Sequence, residues 1–252
     1  MVTDIDINDK IDDSLVIWRY MDFASFYALL QSKKLFFRRL DKYTDQYEGT
    51  LPEELGKSLA ETWSLLPWNT PDDANGMVES FSAKLKQHNS GTLCCSWVWG
   101  DKESYAMWKI YLRGSSEGVA IRSTVGRLRK ALSDNNIDFT LAKVTYDILP
   151  WHITWYKTLP TYKSRAYSYE SELRILVYDQ FESDTVPIDV FPKKPLYDIG
   201  NPFPVVIEDL ISEVYVSPFA GHWFQDVVKS SLDQLLPNFD VKNIITSRIK
   251  DR

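Results

Sequence analysis

The stretch ELRILVY, residues 172–178, is the clearest strand in the sequence, because large apolar and β-branched residues fill most of it. LVIWRY at residues 15–20 has the same character and predicts a buried strand. TLCCSWVW at residues 92–99 and GVAIRS at residues 118–123 are two more such segments. We therefore predict a strand over each of the four.

Shorter strands and several helices are predicted around these segments. Asp22 can cap a helix with one apolar face, and Lys33 and Lys34 suit the carboxyl end of that helix. Helices between only some of the strands favour a single α+β domain over a regular βαβ series. The further predicted strands are residues 35–40, 139–146, 186–190, 211–217 and 243–248, and the further helices are residues 102–112, 124–134 and 222–236.

Two parts of the chain are predicted to lie apart from the sheet. Residues 1–13 are acidic and polar and form a lead-in. Residues 52–89 are predicted to form two helices, broken near residues 67–76, where WNTPDDANG is rich in turn formers. We interpret residues 52–89 as an insertion or a lid.

Composition excludes several classes of protein. The 252 residues include 29 basic and 35 acidic side chains, and the formal net charge of −6 argues against a general nucleic-acid binder. Cys94 and Cys95 are neighbours, which rarely meet disulfide geometry, so a reducing cytoplasm fits best. The sequence has no apolar run of membrane-spanning length, no signal peptide and neither of the common glycine-rich nucleotide loops.

Glu170 and Glu172 are candidates for acid–base chemistry, because residues i and i+2 share one side of an extended chain. Arg174 continues the same row. Two like charges at this separation raise one carboxyl pKa unless cations or hydrogen bonds compensate, which suggests a cleft. The competing interpretation is an exposed strand start with a Glu/Arg ladder.

Arg19 is a charged residue inside an apolar strand, and such an arginine needs an anionic partner. It is either structural, paired with Asp22 or a core carboxylate, or a fork that binds a phosphate. Ser96 can hydrogen-bond a ligand or its own backbone. Cys94 and Cys95 face opposite sides of a strand and suit core packing better than a metal site.

Two further clusters carry weaker signals. Asp41, Asp45 and Glu48 could hold a divalent metal, but a solvated turn is favoured. Aromatic and basic residues alternate between 151 and 169 and could clamp a nucleotide or nucleic acid, although core packing explains them equally well. These residues are Trp151, His152, Trp155, Tyr156, Lys157, Tyr162, Lys163, Arg165, Tyr167 and Tyr169.

Four segments together resemble a bacterial family known as domain of unknown function 2971. They are WRYMDFASFYALLQSKKLFFRRLDKYTDQYEG at 18–49, CCSWVWGDKESYAMWKIY at 94–111, KSRAYSYESELRILV at 163–177 and ISEVYVSPFAGHWF at 211–224. The resemblance spans residues 15–236, with residues 52–89 the least similar part. Gln46 stands where many members of the family have Pro. The family itself implies no activity.

A more distant resemblance implies a mechanism. An arginine on an early strand, a central serine and an ExE pair opening a later strand are similar to the R-S-E pattern of ADP-ribosyltransferases. This resemblance implies a split, mostly antiparallel α+β sheet with flanking helices and a cleft for NAD. The central motif departs from the usual Ser-Thr-Ser, because it is Cys-Cys-Ser here.

The same resemblance assigns roles to individual residues. Arg19 would hold the NAD phosphates and Ser96 would brace the nicotinamide ribose. Glu172 would stabilise the oxocarbenium-like transition state, and Glu170 would orient or deprotonate the acceptor. Tyr105 or Trp108 would stack on nicotinamide. The implied cofactor-binding set is Arg19, Tyr20, Ser96, Tyr105, Trp108 and Arg174.

The sequence therefore predicts a cytoplasmic ADP-ribosyltransferase-like enzyme, a toxin or antiphage effector that uses NAD to modify a protein or nucleic acid, or destroys NAD. One alternative is a binding module for a nucleotide or nucleic acid, whose ligand binding would not depend on Glu172. Another is a metal-dependent nuclease using Asp41, Asp45, Glu48 and Glu170, which magnesium dependence would reveal.

Overall fold

A computed structural model describes residues 2–4, 10–43, 49–146, 159–178 and 197–249. Within these ranges ten strands form one mixed sheet, and all neighbouring strands pair antiparallel except at the two ends. The predicted α+β class with a mostly antiparallel sheet is confirmed. The strands are β1 (Val2–Asp4), β2 (Val16–Asp22), β3 (Lys34–Arg39), β4 (Thr92–Trp99), β5 (Gly118–Thr124), β6 (Phe139–Lys143), β7 (Glu172–Tyr178), β8 (Gly200–Pro204), β9 (Glu213–Val216) and β10 (Ile244–Thr246).

The strands follow the spatial order β1, β6, β7, β4, β2, β5, β9, β10, with β3 and β8 attached beside β4. Strand β4 pairs with β7 along its length, from Thr92 opposite Tyr178 to Val98 opposite Glu172. Strand β2 pairs with β5 in the same way, from Val16 opposite Thr124 to Asp22 opposite Gly118. Each half of the sheet is thus built around one long antiparallel pair.

The two halves meet along a short seam. Strands β2 and β4 pair only through Ile17 opposite Trp99 and Trp18 opposite Val98. Beyond this seam β2 continues with β5 and β4 continues with β7, so the ladder between β2 and β4 does not extend further. We call this place the sheet division.

Helices cover both faces of the sheet. Within the described ranges they are α1 (Phe23–Ser32), α2 (Glu53–Ser64), α3 (Pro71–Gly91), α4 (Tyr105–Leu112), α5 (Val125–Leu132), α6 (Ile207–Leu210) and α7 (His222–Leu235). The main core contains buried residues of α1, α5 and α7 together with Ile17, Trp97 and Ile175 of the sheet. On the opposite side Trp18 and Tyr20 pack against Trp108 of α4, and we call this side the α4 face.

The predicted cap of α1 is confirmed. The Asp22 side chain accepts a hydrogen bond of 2.7 Å from the Ser25 N–H, which satisfies one of the free amides at the helix start. Lys33 follows the helix in a left-handed conformation with φ 52°, and its N–H donates to the Leu29 carbonyl. This turn lets β3 begin at Lys34 and return beside the sheet.

Some predicted boundaries differ from the structure. The break between the two helices is shorter than predicted, because Thr70 and Asp73 form a reciprocal capping box that starts α3 at Pro71. Residues 2–4 of the predicted lead-in form strand β1, which pairs parallel with β6. The predicted strand at 186–190 lies outside the described residues.

Candidate functional site

The two glutamates of the ExE pair do not lie on one extended strand as predicted. Glu172 begins β7, but Glu170 ends a 3₁₀ helix, Arg165–Glu170. Ser171 between them has φ 43° and ψ 56°, in the left-handed region that non-glycine residues rarely adopt. The chain therefore turns between the two carboxylates, and other side chains bring them together.

Four charged side chains form an ion cluster: Lys163, Glu170, Glu172 and Arg174. The Arg174 Nε lies 3.0 Å from Glu172 Oε1, and its Nη2 lies 2.9 Å from Oε2. The Lys163 Nζ lies 2.6 Å from Glu170 Oε2 and 3.5 Å from Glu172 Oε2. Arg174 also donates through Nη1 to the Pro160 carbonyl. Lys163 thus connects the two glutamates, while Arg174 holds Glu172 through both of its oxygens.

Ser96 joins this cluster through the register of the sheet. It lies opposite Arg174 in the β4–β7 pair, and directly opposed residues project to the same face of a sheet. Val98, opposite both Glu172 and Trp18, places these side chains on the α4 face. The Ser96 hydroxyl lies 3.2 Å from the Tyr43 hydroxyl and 3.7 Å from the Cys94 Sγ.

The cluster keeps Glu172 ionised despite its burial. Burial alone would raise the pKa of this carboxyl, but the charge and hydrogen bonds of Arg174, the charge of Lys163 and a hydrogen bond from Ser96 lower it to about 2. Burial and the nearby Glu172 raise the pKa of Tyr111 to about 12, and burial, with Glu172, raises that of Tyr146 to about 12 as well. Both phenols are therefore neutral hydrogen-bonding groups beside a fixed carboxylate.

Arg19 lies at the sheet division. It neighbours Trp18 on β2, so its side chain starts from the face opposite the α4 face. Its Nη1 donates to the Ser96 carbonyl at 2.8 Å and to the Cys95 Sγ at 3.0 Å. Its charge also reaches the Tyr111 hydroxyl, as do the charges of Glu172, Glu170 and Lys163. Arg19 thus meets Ser96 at its backbone carbonyl, from the face opposite the ion cluster.

The expected carboxylate partner of Arg19 is not found among the described residues. Asp22, named as one candidate, caps helix α1 instead. The guanidinium interacts with neutral acceptors and lies 5.8 Å from the centre of the Trp97 ring. In the part of the chain that the structure describes, no carboxylate forms an ion pair with it.

The aromatic residues predicted to contact the cofactor differ in exposure, since Trp108 and Tyr20 are buried and Tyr105 is exposed. Trp108 is fully buried and donates to Glu103, and Tyr20 is buried against it with its hydroxyl accepting from the Ser104 N–H. Both rings are almost fully buried, and their assignment to the cofactor stays a prediction. Arg174 is likewise fully buried. Tyr105 is exposed, but its ring contacts Phe219 and its neighbour Lys109 at the amino end of α4.

Sequence reasoning missed Tyr111 as a site residue. Its side chain is 40% exposed, and its ring stacks on Tyr20 with centres 6.3 Å apart. Burial and the charge of Glu172 nevertheless raise the pKa of its hydroxyl to about 12. The structure buries the neighbouring Leu112 on the same helix.

The other predicted clusters are only partly described. Asp41 pairs with Arg39, whereas Asp45 and Glu48 lie outside the described residues. Among the described residues no group of three or more His, Cys, Asp or Glu side chains is arranged to hold a metal ion. Of the aromatic and basic segment, residues 151–158 also lie outside, and Lys163 belongs to the ion cluster. No helix in the described ranges has the length and apolar character needed to cross a membrane.

Comparisons with protein family models, with curated proteins and with solved structures find no match for this chain. The residues of the site are therefore the basis for assigning a function. These residues provide an arginine, an ionised and largely buried carboxylate, a second carboxylate closer to solvent and a neutral tyrosine. Such a set can bind an anionic ligand and stabilise positive charge that develops beside it.

Proposed function

We propose that this chain is an ADP-ribosyltransferase-like enzyme that uses NAD and transfers its ADP-ribosyl group to a macromolecule or to water. The observation that carries the proposal is the Glu170/Glu172 pair beside Ser96 on the α4 face, with Arg19 bonded to the Ser96 carbonyl from the opposite face. The order of these residues along the chain and the mostly antiparallel α+β sheet agree with the R-S-E resemblance. The ADP-ribosyltransferase-like fold is part of the proposal.

The chemistry of the site fits NAD in three respects. A dinucleotide has a pyrophosphate, and the Arg19 guanidinium has five N–H donors, of which Nη1 alone bonds to described residues. The planar rings of NAD need an exposed aromatic face to stack on, which Tyr111 offers and the buried Trp108 does not. Ribose hydroxyls need an acceptor, and Glu172 is an ionised one.

NAD would supply the ADP-ribosyl group and nicotinamide as its leaving group. In the proposed reaction the bond from ribose C1′ to the nicotinamide nitrogen breaks, and its electron pair leaves with nicotinamide. A bond from an acceptor oxygen or nitrogen to C1′ forms, and the proton of the acceptor passes to the Glu170 carboxylate. The buried negative charge of Glu172 stabilises the positive charge that develops on the ribose.

Access to Glu172 follows from its contacts. Its Oε2 lies 2.9 Å from Arg174 Nη2 but 3.5 Å from Lys163 Nζ. A ribose hydroxyl can donate to Oε2 beside the longer contact to Lys163, while Arg174 keeps the carboxylate ionised and oriented. Arg174 is therefore a positioning residue in this proposal, in place of the cofactor contact that the sequence predicted.

The test is to incubate purified protein with NAD labelled on nicotinamide or on the adenylate phosphate, with and without cell lysate. We expect the wild-type protein to release nicotinamide and to transfer the phosphate label. Glu170→Gln should lose transfer while still releasing nicotinamide to water, because Glu170 serves the acceptor and Glu172 the ribose.

A matched control is Glu213→Gln, since the Glu213 side chain is 25% exposed and paired with Arg122, and the Glu170 side chain is 21% exposed and paired with Lys163. This control should keep both activities. Equal losses in the two variants, or a wild-type protein that neither binds nor consumes NAD, would contradict the proposal.

A second candidate is a binding module without chemistry, and one observation favours it. Tyr169 and Arg165 are exposed on the segment that leads into Glu170. Exposed aromatic rings and cations on one segment are typical of surfaces on which nucleobases stack. Binding of single-stranded oligonucleotides that is unchanged in Glu172→Gln, together with absent NAD turnover, would select this function.

A further inference from the structure

We infer that Lys163 is a positioning residue that holds Glu170 and Glu172 together as one functional pair. This inference deepens the proposed function and rests on it for its catalytic meaning. Its structural part concerns three side chains of this chain alone and can be tested without NAD.

The need for such a residue arises from the backbone. The left-handed conformation of Ser171 takes Glu170 out of the line of β7, so the alternation of the strand does not align the two glutamates. Two carboxylates that approach each other also repel, and repulsion would favour a Glu170 side chain turned to solvent. A cation between them removes this repulsion.

Lys163 is placed to be that cation. Its Nζ lies 2.6 Å from Glu170 Oε2 and 3.5 Å from Glu172 Oε2, and its side chain is largely buried. Its ammonium group also lies 4.9 Å from the centre of the Tyr167 ring. Contacts on several sides restrict the ammonium to the space between the carboxylates.

The backbone of Lys163 is fixed as well. Its N–H donates to the Thr145 carbonyl at 3.0 Å, and the Thr145 N–H donates to the Thr161 carbonyl at 2.8 Å. These bonds attach the segment to the chain that follows β6, next to β7. Both the backbone and the ammonium group of Lys163 are therefore held in place, as expected of a residue that orients other side chains.

The main variant is Lys163→Met, which removes the charge and keeps a long unbranched side chain. Lys130→Met is the matched control, because Lys130 Nζ also lies 2.6 Å from a carboxylate oxygen, that of Asp209, outside the site. Lys163→Arg restores the charge and can reach both carboxylates with its forked guanidinium.

We expect Lys163→Met to lower the rate of transfer about tenfold or more while the KM for NAD changes less than about twofold, because a misplaced group affects the reaction more than binding. Lys163→Arg should recover most of the rate, and Lys130→Met should match the wild type.

A second measurement needs no turnover. NMR titration of the glutamate side-chain carboxyl carbons follows Glu172 directly, with Glu172→Gln identifying its signal. Because Lys163 is one of the groups that lower the pKa of Glu172 to about 2, this carboxyl should titrate at a higher pH in Lys163→Met and close to the wild-type value in Lys130→Met.

The proposed function and the role of Lys163 can be contradicted independently of each other. A wild-type protein without turnover overturns the proposed function, whereas a Glu172 titration that is identical in wild type and Lys163→Met overturns the role of Lys163. Equal loss of transfer in Lys163→Met and Lys130→Met would also overturn it. A shifted titration with recovery in Lys163→Arg supports the positioning role.

Discussion

Two Arg–Glu pairs lie on the α4 face, one in each half of the sheet, and they differ mainly in burial. Arg174 and Glu172 approach to 2.9 Å with side chains 0% and 6% exposed. Arg122 and Glu213 approach to the same 2.9 Å with side chains 29% and 25% exposed. Arg122 and Glu213 face each other across β5 and β9, whereas Glu172 and Arg174 are two residues apart on β7.

A buried ion pair needs more polar partners than an exposed one. Water satisfies part of the exposed pair, and Arg122 further contacts the Trp18 ring. The buried pair is surrounded by a third charge on Lys163, a hydroxyl on Ser96 and the Pro160 carbonyl. Charges removed from water need such compensation, and a compensated carboxylate is a suitable group for stabilising a cationic reaction centre.

Loss of the glutamate charge should lower the free energy of unfolding much more in the buried pair than in the exposed pair. Glu172→Gln should lower the free energy of unfolding by about 3 kcal/mol, because it leaves the Arg174 charge buried without its anion. Glu213→Gln should lower it by less than about 1 kcal/mol, because that pair is partly solvated. Urea unfolding followed by circular dichroism measures both.

This expectation also guides the activity test. Loss of turnover in Glu172→Gln has two possible causes, a lost catalytic group and a weakened fold, so Glu170→Gln is the more informative variant. Equal destabilisation by Glu172→Gln and Glu213→Gln would show that burial does not distinguish the two pairs.

Acid should reduce the stability that the buried pair contributes, and it should do so within a defined pH range. Glu172 has a folded pKa of about 2, below its ordinary value of 4.5. A group with a lowered folded pKa contributes stability above its unfolded pKa and loses that stability as the pH falls toward the folded value. The stability gap between wild type and Glu172→Gln should therefore shrink by about 2 kcal/mol from about pH 6 to about pH 3.

The measurement is urea unfolding of both proteins at several pH values. Subtracting the variant removes the contributions of the other carboxylates that the two proteins share. A gap that stays constant over this range would mean that Glu172 is not held ionised by the cluster.

Much of the sheet was predictable because its central strands are apolar throughout. The strands starting at Val16, Thr92, Gly118 and Glu172 follow the predicted segments closely. Strand β8 was not predicted, since Pro202 and Pro204 lack the N–H that a central strand needs. The two prolines are tolerated because β8 pairs with β3 alone in the described structure.

Helix faces were harder to predict than helix positions. Helix α7 begins at His222 as predicted, but it buries Phe224 and Val228 and leaves Trp223 exposed. A rotation of one residue is about 100°, and alternating apolar residues permit more than one orientation. The packing partner decides, and here Phe23 of α1 contacts Phe224.

The site was predictable only where one strand holds it. Glu172 and Arg174 share a strand face, as the spacing predicts. The link from Lys163 to Glu170 depends on a 3₁₀ helix and a left-handed residue, which no periodicity of the sequence indicates. Arg19 and Ser96 meet only because β2 and β4 adjoin at the seam.

Substitutions of Ser171 should change the stability less than Glu172→Gln does. This residue has no counterpart beside the exposed pair. Its φ of 43° places a side chain in a region that costs roughly 1–2 kcal/mol for ordinary residues. Ser171→Gly removes that strain but adds freedom to the unfolded chain, so we expect a net gain of about 0.5 kcal/mol. Ser171→Val should lose about 1–2 kcal/mol, because a β-branched side chain is disfavoured there.

Thermal unfolding of the two variants measures this difference, and Lys33→Gly is the control, since Lys33 has φ 52° at the end of α1, where it touches no part of the ion cluster. Both glycine variants should gain stability for the same backbone reason. Transfer should fall only in Ser171→Gly, because a freer residue 171 loosens the geometry between Glu170 and Glu172. If Ser171→Val is as stable as the wild type, the turn does not constrain the pair, and Lys163 alone must bring the two carboxylates together.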